Sequence, residues 1–378
     1  MKIRYICYYN YHQGKIEREN VQSASTKIDY IIDVLNRSGI EVDIISKSPV
    51  SSKKFNPSLG EVLQLSKGKT LRHFFSLGCR DIRLIYIVSR AINTIHFFFW
   101  LLFNTHKGEQ LIIYHSLGYT MTLSLLKKIK GLRYIGEIEE IYQDVQRQYA
   151  LTSSSEYKFI DMCDKYIFPT HLLDEKLNVS HKPFVVIHGV YKSEQILEQK
   201  FDDGLIHVVY GGTLNPQKGG AAAAAAAAEF LPKNYHVHIC GFGDSTKIRE
   251  IVHEVSSKSE AKLTFEGELK GESYKRFIQK CHIGLSTQNP DLAFNATSFP
   301  SKILVYLANG LQVVTIDIPA VALSSVKDAL TFYQIQAPQQ IASAIIKQQE
   351  NCAYKNSTAL LIELDKRFAE EISALITT

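Results

Sequence analysis

A chain of 378 residues is too long for one ordinary domain and long enough for two, each with its own buried core. With 45% hydrophobic, 11% aromatic and 21% charged residues, a largely disordered protein is excluded. A formal net charge of +5 suits phosphate-bearing ligands or anionic lipid, but it is no nucleic-acid footprint.

The six cysteines, Cys7, Cys79, Cys163, Cys240, Cys281 and Cys352, are scattered, with no CxxC pair and no Cys/His cluster at zinc spacing. The expectation is therefore no metal site and a reducing, cytoplasmic compartment. The opening MKIRYICYYNY lacks the long apolar core of a signal peptide and reads as a first strand.

Ile3 to Tyr8 is that strand, and a helix follows over Ser25 to Ser38, where Ile28, Ile31, Ile32 and Leu35 recur at helical spacing. Gly39 ends it, and Ile40 to Ile45 forms a second strand, a strand-helix-strand opening of a doubly wound sheet. Lys67, Lys69, Arg72, Arg80, Arg83 and Arg90 then form a basic group opposed by Asp81 alone. The apolar stretch Ile82 to Phe103 overlaps it. Arg83, Arg90 and Asn93 interrupt that stretch, and a charge at mid-span is costly in lipid, which argues against a membrane crossing. Two readings stay open: a buried helix of the first lobe, or a membrane-surface contact through residues 67–103 that reaches a lipid-linked acceptor.

Strands are further expected at Leu111 to Tyr114, Arg133 to Gly136, Tyr166 to Phe168 and Phe184 to His188. The polar run Glu194 to Asp203 lies between the halves, which places a domain boundary near residue 190. Beyond it the alternation is cleaner, with strands at Leu205 to Gly211, Tyr235 to Cys240, Lys262 to Glu266, Ile283 to Ser286 and Leu311 to Ile316. The alanine run Ala221 to Ala228 suits a small-faced helix packed on the sheet, and Ser357 to Ile376 an amphipathic terminal helix. The expected domains are 1–190, 191–356 and a terminal helix 357–378 crossing back to the first. The fold class is α/β, two doubly wound Rossmann-like domains.

Ligands of such sheets sit beyond the carboxyl ends of the strands, so those loops carry the chemistry. Tyr210-Gly211-Gly212-Thr213-Leu214-Asn215-Pro216-Gln217-Lys218-Gly219 lies where a strand gives way to a helix. Glycines there admit close backbone approach, and Lys218 supplies a point charge for a diphosphate. By itself the segment also fits an ordinary turn. Gly241 and Gly243 form a second glycine turn after the next strand. A third loop, Asn295 to Lys302, enters a helix with Pro300 suited to the first turn and Ser298 or Ser301 able to cap it or bind a ligand. Lys218 and Lys302 on one sheet would face one crevice. In the first half His115, Glu137, Glu139 and Glu140 follow strands and could handle an acceptor proton, although a lone His or a charged helix start serves structure equally well.

The order YGGTLNPQKG, YHVHICGFGD, LTFEGEL, YKRFIQKCHIGLST, FPSKILVYLANGLQVVT, over residues 205 to 318, resembles the donor domain of GT-B glycosyltransferases of the family often called glycosyltransferase family 4. Val186 to Tyr191 resembles that family's crossover segment, and His115 resembles a cleft-facing histidine of some relatives. The resemblance implies a metal-independent transferase that moves a sugar from a nucleotide-diphosphate donor, its co-substrate, to a glycan or polyprenyl-linked acceptor of a bacterial surface polysaccharide (O-antigen or capsule). No further cofactor and no nucleic acid are implied. The setting would be the inner face of the cytoplasmic membrane. Gly212, Thr213 and Lys218 would meet the diphosphate, with Gly241 and Gly243 nearby. Glu268 would lie beside the base, and Ser298, Phe299, Pro300, Ser301 and Lys302 would cover the phosphates and sugar. One departure stands out: many relatives carry a Glu-x7-Glu pair, and Thr297 and Val305 occupy those positions here. A valine accepts no hydrogen bond, so donor identity and stereochemical outcome do not carry over. The alternative is a non-catalytic relative that binds nucleotide sugar or partners another transferase.

Overall fold

The computed structural model describes residues 1–11, 16–19, 22–142, 150–216, 218–350 and 357–378. Gln217 and Cys352 lie outside them. The chain forms two compact units, Met1–Ile187 with Arg367–Thr378, and His188–Lys366.

The first unit is built on strands β1 (Lys2–Cys7), β2 (Glu41–Ser46), β4 (Glu61–Ser66), β5 (Lys69–His73), β7 (Gln110–Tyr114), β8 (Arg133–Glu137), β9 (Lys165–Phe168) and β10 (Phe184–Val186), in the order β10-β9-β8-β7-β1-β2-β5-β4. All neighbours are parallel except β4 with β5. Central strands covered on both faces need continuous apolar runs, and Leu111, Ile112 and Ile113 are all fully buried. Helix α1 (Gln22–Arg37) turns Ile28, Ile31, Ile32 and Leu35 onto the sheet, and Gly39, at φ +78°, ends it. β1 sits at the centre, so the chain reverses its direction of winding between β1 and β7.

Four strands were not foreseen between residues 55 and 78: β4, β5, and the antiparallel pair β3 (Phe55–Ser58) with β6 (Ser76–Gly78). β3 and β4 are short and largely solvent-facing, so they lack the apolar run that marks a central strand. They also change the basic group. Lys69 reaches Asp29 at 2.6 Å, the Arg72 guanidinium lies 4.7 Å over the Trp100 ring, and Arg90 bonds the hydroxyls of Tyr86 and Tyr8. Much of that charge is committed inside the lobe.

Helix α2 (Arg83–Asn104) buries a single stripe, Ser89, Asn93, Phe97 and Leu101, spaced four residues apart. Ser89 accepts from the Leu77 backbone and Asn93 donates to the Phe75 carbonyl. Of the polar residues that interrupt the stretch, Asn93 and Arg90 bond within the lobe, while Arg83 is exposed. Leu84, Ile87, Val88, Ile95, Phe99 and Phe103 are exposed, so the helix is not simply buried. It is long and apolar enough to cross a membrane by length and composition alone.

The second unit has strands β11 (Ile206–Thr213), β12 (Tyr235–Phe242), β13 (Lys262–Gly267), β14 (Ile283–Ser286), β15 (Gln312–Ile316) and β16 (Leu330–Tyr333). All are parallel, in the order β13-β12-β11-β14-β15-β16, with the reversal between β11 and β14. β16 was not foreseen. The alanine run forms a seven-residue α-helix, Gly220–Ala226, followed by a 3-10 turn, Ala227–Phe230, and its small buried face lies on β11 and β12. The polar run Glu194 to Asp203 proves not to be a free linker. Glu194 donates its backbone N–H to Ala308, Leu197 to the Gln279 side chain and Phe201 to Lys280, so the run straps the second unit.

The terminal helix is Ser357–Thr377. Its last turns belong to the first unit, where Phe368 stacks on Tyr30 and Lys165 donates to the Leu375 carbonyl at 2.6 Å.

Candidate functional site

In the second unit the loops after β11 and β14 flank the switch point, where an open α/β sheet takes its ligands. Their backbones come very close: a methyl group at Gly220 would strike the Thr287 carbonyl, and the Thr287 hydroxyl donates to the Gly220 carbonyl at 2.7 Å. Gly211 gives its N–H to the Tyr306 hydroxyl at 2.8 Å. Gly241 lies opposite Gly212 in register, and a methyl there would strike the Gly212 carbonyl. These glycines are fixed by contact, not by backbone angle.

Lys302 opens the seven-residue helix Lys302–Ala308. Its ammonium lies 4.0 Å from the Tyr210 ring centroid, against Gly212. Burial, and further the charge of Lys218, bring its pKa down to about 7. The two lysines thus share one electrostatic field. Lys218 itself is exposed on the loop after β11. An anion between them would restore the charged form of Lys302, because an opposite charge favours the ammonium.

Ser298 Oγ is buried with no hydrogen-bond partner among the described residues, and so is Ser286 Oγ at the end of β14. A buried hydroxyl without a partner costs free energy that a ligand oxygen would recover. Phe299 is buried and stacks on His188 at 4.8 Å. Neither serine caps the following helix: Ser301 occupies the cap position with helical angles and no side-chain bond. Pro300 precedes the helix and accepts the Ile303 N–H. Thr213 stands half-buried at the end of β11 and accepts from the Asn215 N–H. Gly243 is exposed in the turn after β12. Glu268 follows β13, two strands from β11, is exposed, and pairs with Lys270 at 3.1 Å. Thr297 is buried and Val305 is exposed on its helix.

In the first unit, β7 and β8 end side by side near the β1/β7 reversal. His115 is buried between Tyr142, stacked at 4.5 Å, and Phe159 at 5.2 Å, with its Nε2 at 3.5 Å from Glu156. Burial holds its pKa down to about 4, so the imidazole is neutral near pH 7. Glu139 is half-buried and takes an ion pair from Lys27 at 2.5 Å. Glu140 is half-buried beside it. Glu137 is fully buried, accepts from the Tyr5 hydroxyl, and has its pKa raised well above the usual carboxylate value by burial, then by the charge of Glu139 and a hydrogen bond to it. Tyr5, Lys27 and Tyr210 were not among the sequence candidates. Ser286 and Thr287 were also missed; they end and follow an expected strand, but only the sheet order places that strand beside β11.

Two doubly wound lobes, each with its charged and polar groups at the carboxyl ends of parallel strands, define the GT-B glycosyltransferase fold. Residues 206–351, most of the second lobe, match the family model described as glycosyl transferases group 1. Sucrose-phosphate synthase from Thermosynechococcus elongatus superposes with a TM-score of 0.70 at 14% identity, covering 99% of this chain and 98% of that one. The structure titled trehalose-6-phosphate from E. coli bound with UDP-2-fluoro glucose gives 0.67 at 10%, covering 100% and 98%. The catalytic domain of starch synthase IV from Arabidopsis thaliana, bound to ADP and acarbose, gives 0.62 at 9%, covering 100% and 99%. At these identities the likeness is one of fold. No curated protein matches the sequence.

Proposed function

We propose that the protein transfers a sugar from a nucleotide-diphosphate donor, its only co-substrate, to a hydroxyl of a glycan or polyprenyl-linked acceptor in surface polysaccharide (O-antigen or capsule) assembly. The observation that carries the reading is the Lys302 ammonium, enclosed over Tyr210 beside Gly212 and within the field of Lys218. Charge developing on a leaving diphosphate is stabilised by two preorganised cations without need of a metal. The Ser298 and Ser286 hydroxyls, buried without a partner among the described residues, would bond ligand oxygens. In the first lobe Glu139 and Glu140, half-buried after β8, would orient or deprotonate the acceptor hydroxyl, with the buried His115 beside them.

The exposed apolar face of α2 is continued by Met121, Leu125 and Ile129 on the adjacent helix α3 (Thr120–Lys130). Arg80, Arg83, Lys107 and Lys128 are also exposed in these segments. Apolar residues beside cations support contact with an anionic membrane surface at the cytoplasmic face, where a lipid-linked acceptor is met.

The test is turnover of a panel of nucleotide sugars with lipid-linked and free glycan acceptors. Product that appears with wild type and is lost in Lys302→Met supports the reading. A second reading, a nucleotide-sugar binder without turnover, is favoured by Thr297 and Val305 in place of the paired carboxylates. Donor binding without transfer or hydrolysis to any acceptor would establish that reading instead. Co-sedimentation with vesicles containing anionic lipid tests the membrane face, with Phe99→Glu/Phe103→Glu expected to abolish it.

A further inference from the structure

Among the described residues, one cluster of imidazoles gathers at the other end of the second sheet. His207 is the second residue of β11, and His236 and His238 are the second and fourth of β12. Register sets His207 opposite His236. Side chains two apart on a strand share a face, so His238 joins them. Five residues separate His207 from Gly212, roughly 16 Å at ~3.3 Å per residue, so the cluster is distinct from the donor loops.

His207 Nδ1 and His238 Nε2 face each other at 2.8 Å. The outer nitrogen of each ring is bound to a carboxylate, His207 Nε2 to Asp203 at 2.9 Å and His238 Nδ1 to Glu266 at 2.8 Å. Proton counting then becomes decisive. If each outer nitrogen donates to its carboxylate and both rings are neutral, the two inner nitrogens present lone pairs to each other, which repel. In that tautomeric state a cation between them, a shared proton or a metal ion, removes the repulsion. Phe201, stacked on His207 at 4.2 Å, and Phe277, edge-on to His238 at 5.2 Å, roof the cluster with apolar surface.

We propose that His207, His236 and His238 form a site for one divalent transition-metal ion of the zinc class, with Asp203 and Glu266 as the carboxylates that orient the ligating rings. The three ligand atoms already lie within 4.8 Å of one another. Tetrahedral zinc–nitrogen bonds of 2.0–2.1 Å need nitrogens about 3.3 Å apart, so the inner pair opens by about half an ångström. His236, half-buried with its Nε2 at 3.1 Å from the Thr264 hydroxyl, turns inward to complete the set. A carboxylate on the far nitrogen of a ligating imidazole fixes its tautomer and raises its basicity, which is the arrangement of Asp203 and Glu266. The ion links β11 to β12 and serves the fold of this lobe, apart from the transfer chemistry.

The test uses full-length protein without a histidine tag, stripped by a chelator and titrated with Zn2+ alone against a chromophoric competitor. One equivalent is expected to bind, and Co2+ should give the ligand-field bands of a nitrogen-ligated, low-coordinate ion. His236→Gln should abolish tight binding with an unchanged circular dichroism spectrum, and Asp203→Asn should weaken it ~10-fold or more. His253→Gln, an exposed histidine elsewhere on the lobe, should change nothing. Stoichiometric binding untouched by His236→Gln and by His238→Gln overturns the proposal. So does a 15N NMR spectrum in which His207 and His238 share a proton that excess Zn2+ does not displace.

Discussion

The Lys302 ammonium lies 4.0 Å above the Tyr210 ring, a cation held over an aromatic face at the edge of the β11 loop. Cation–π attraction offsets part of the cost of burial, yet the pKa of Lys302 still falls to about 7. A lysine of this kind is half neutral near pH 7 until an anion arrives.

Nucleoside diphosphate binding should therefore take up protons. Above pH 7 the free protein has lost the Lys302 proton and the diphosphate complex regains it, so affinity should fall as pH rises and proton uptake should approach one per ligand near pH 8. Calorimetry in two buffers of different ionisation enthalpy measures this. Lys302→Met should remove the uptake and cost roughly tenfold or more in affinity, on the scale of about 1.5–3 kcal/mol for a hydrogen bond to a charged group. An unchanged proton count in that variant would refute the assignment.

Lys302 has a second consequence, for stability. Its folded pKa of about 7 lies below the ordinary lysine value of about 10.4, so between those values the unfolded chain holds more protons. Stability from this residue thus rises with pH across that window. In Lys302→Met the slope of unfolding free energy against pH between 7 and 10 should flatten, as followed by urea denaturation.

Lys218 is exposed, so its removal should leave the fold intact. Lys218→Ala should lower transfer at least tenfold with an unchanged melting temperature, and it should raise the pKa of Lys302 by removing a repelling charge. Full turnover in this variant would exclude Lys218 from the donor site.

His115 gives the opposite limb. Its folded pKa of about 4 lies below the unfolded value of about 6.5, so the unfolded chain again holds more protons between them. Acidification from pH 6.5 to 4 should cost up to about 3 kcal/mol from this group alone. His115→Phe should shift the acid-unfolding midpoint downward, because the buried ring is neutral in the folded chain. Identical acid limbs in both proteins would contradict that burial.

Gly241→Ala tests the close crossing of the donor loops. The added methyl meets the Gly212 carbonyl, a backbone atom with little room to yield. A loss of about 1–3 kcal/mol is expected, together with weakened diphosphate binding. Thermal melting with and without ligand measures both. Gly243→Ala, in the exposed turn, should spare binding, with its own cost set by a φ of +115°.

Local pattern carried a good deal of this protein. Helical spacing of Ile28, Ile31, Ile32 and Leu35 and the apolar runs of the central strands read directly as alternating α/β units, because amphipathic period and continuous burial are properties of neighbouring residues. Glycine-and-lysine segments after strands were legible for the same reason. The edge strands of residues 55–78 were not, since a half-exposed strand needs no apolar run.

What the sequence determined by itself was the class of the central elements and the presence of two lysine-bearing loops. Tertiary structure alone decided that β14 lies beside β11, so that Ser286 and Thr287 join the Gly212 loop, and that Glu137 is buried against Tyr5 and Glu139. It also brought His207, from one strand, to His236 and His238 of the next. Strand order and register are pairings between distant segments, set by how whole faces pack, and no local spacing encodes them.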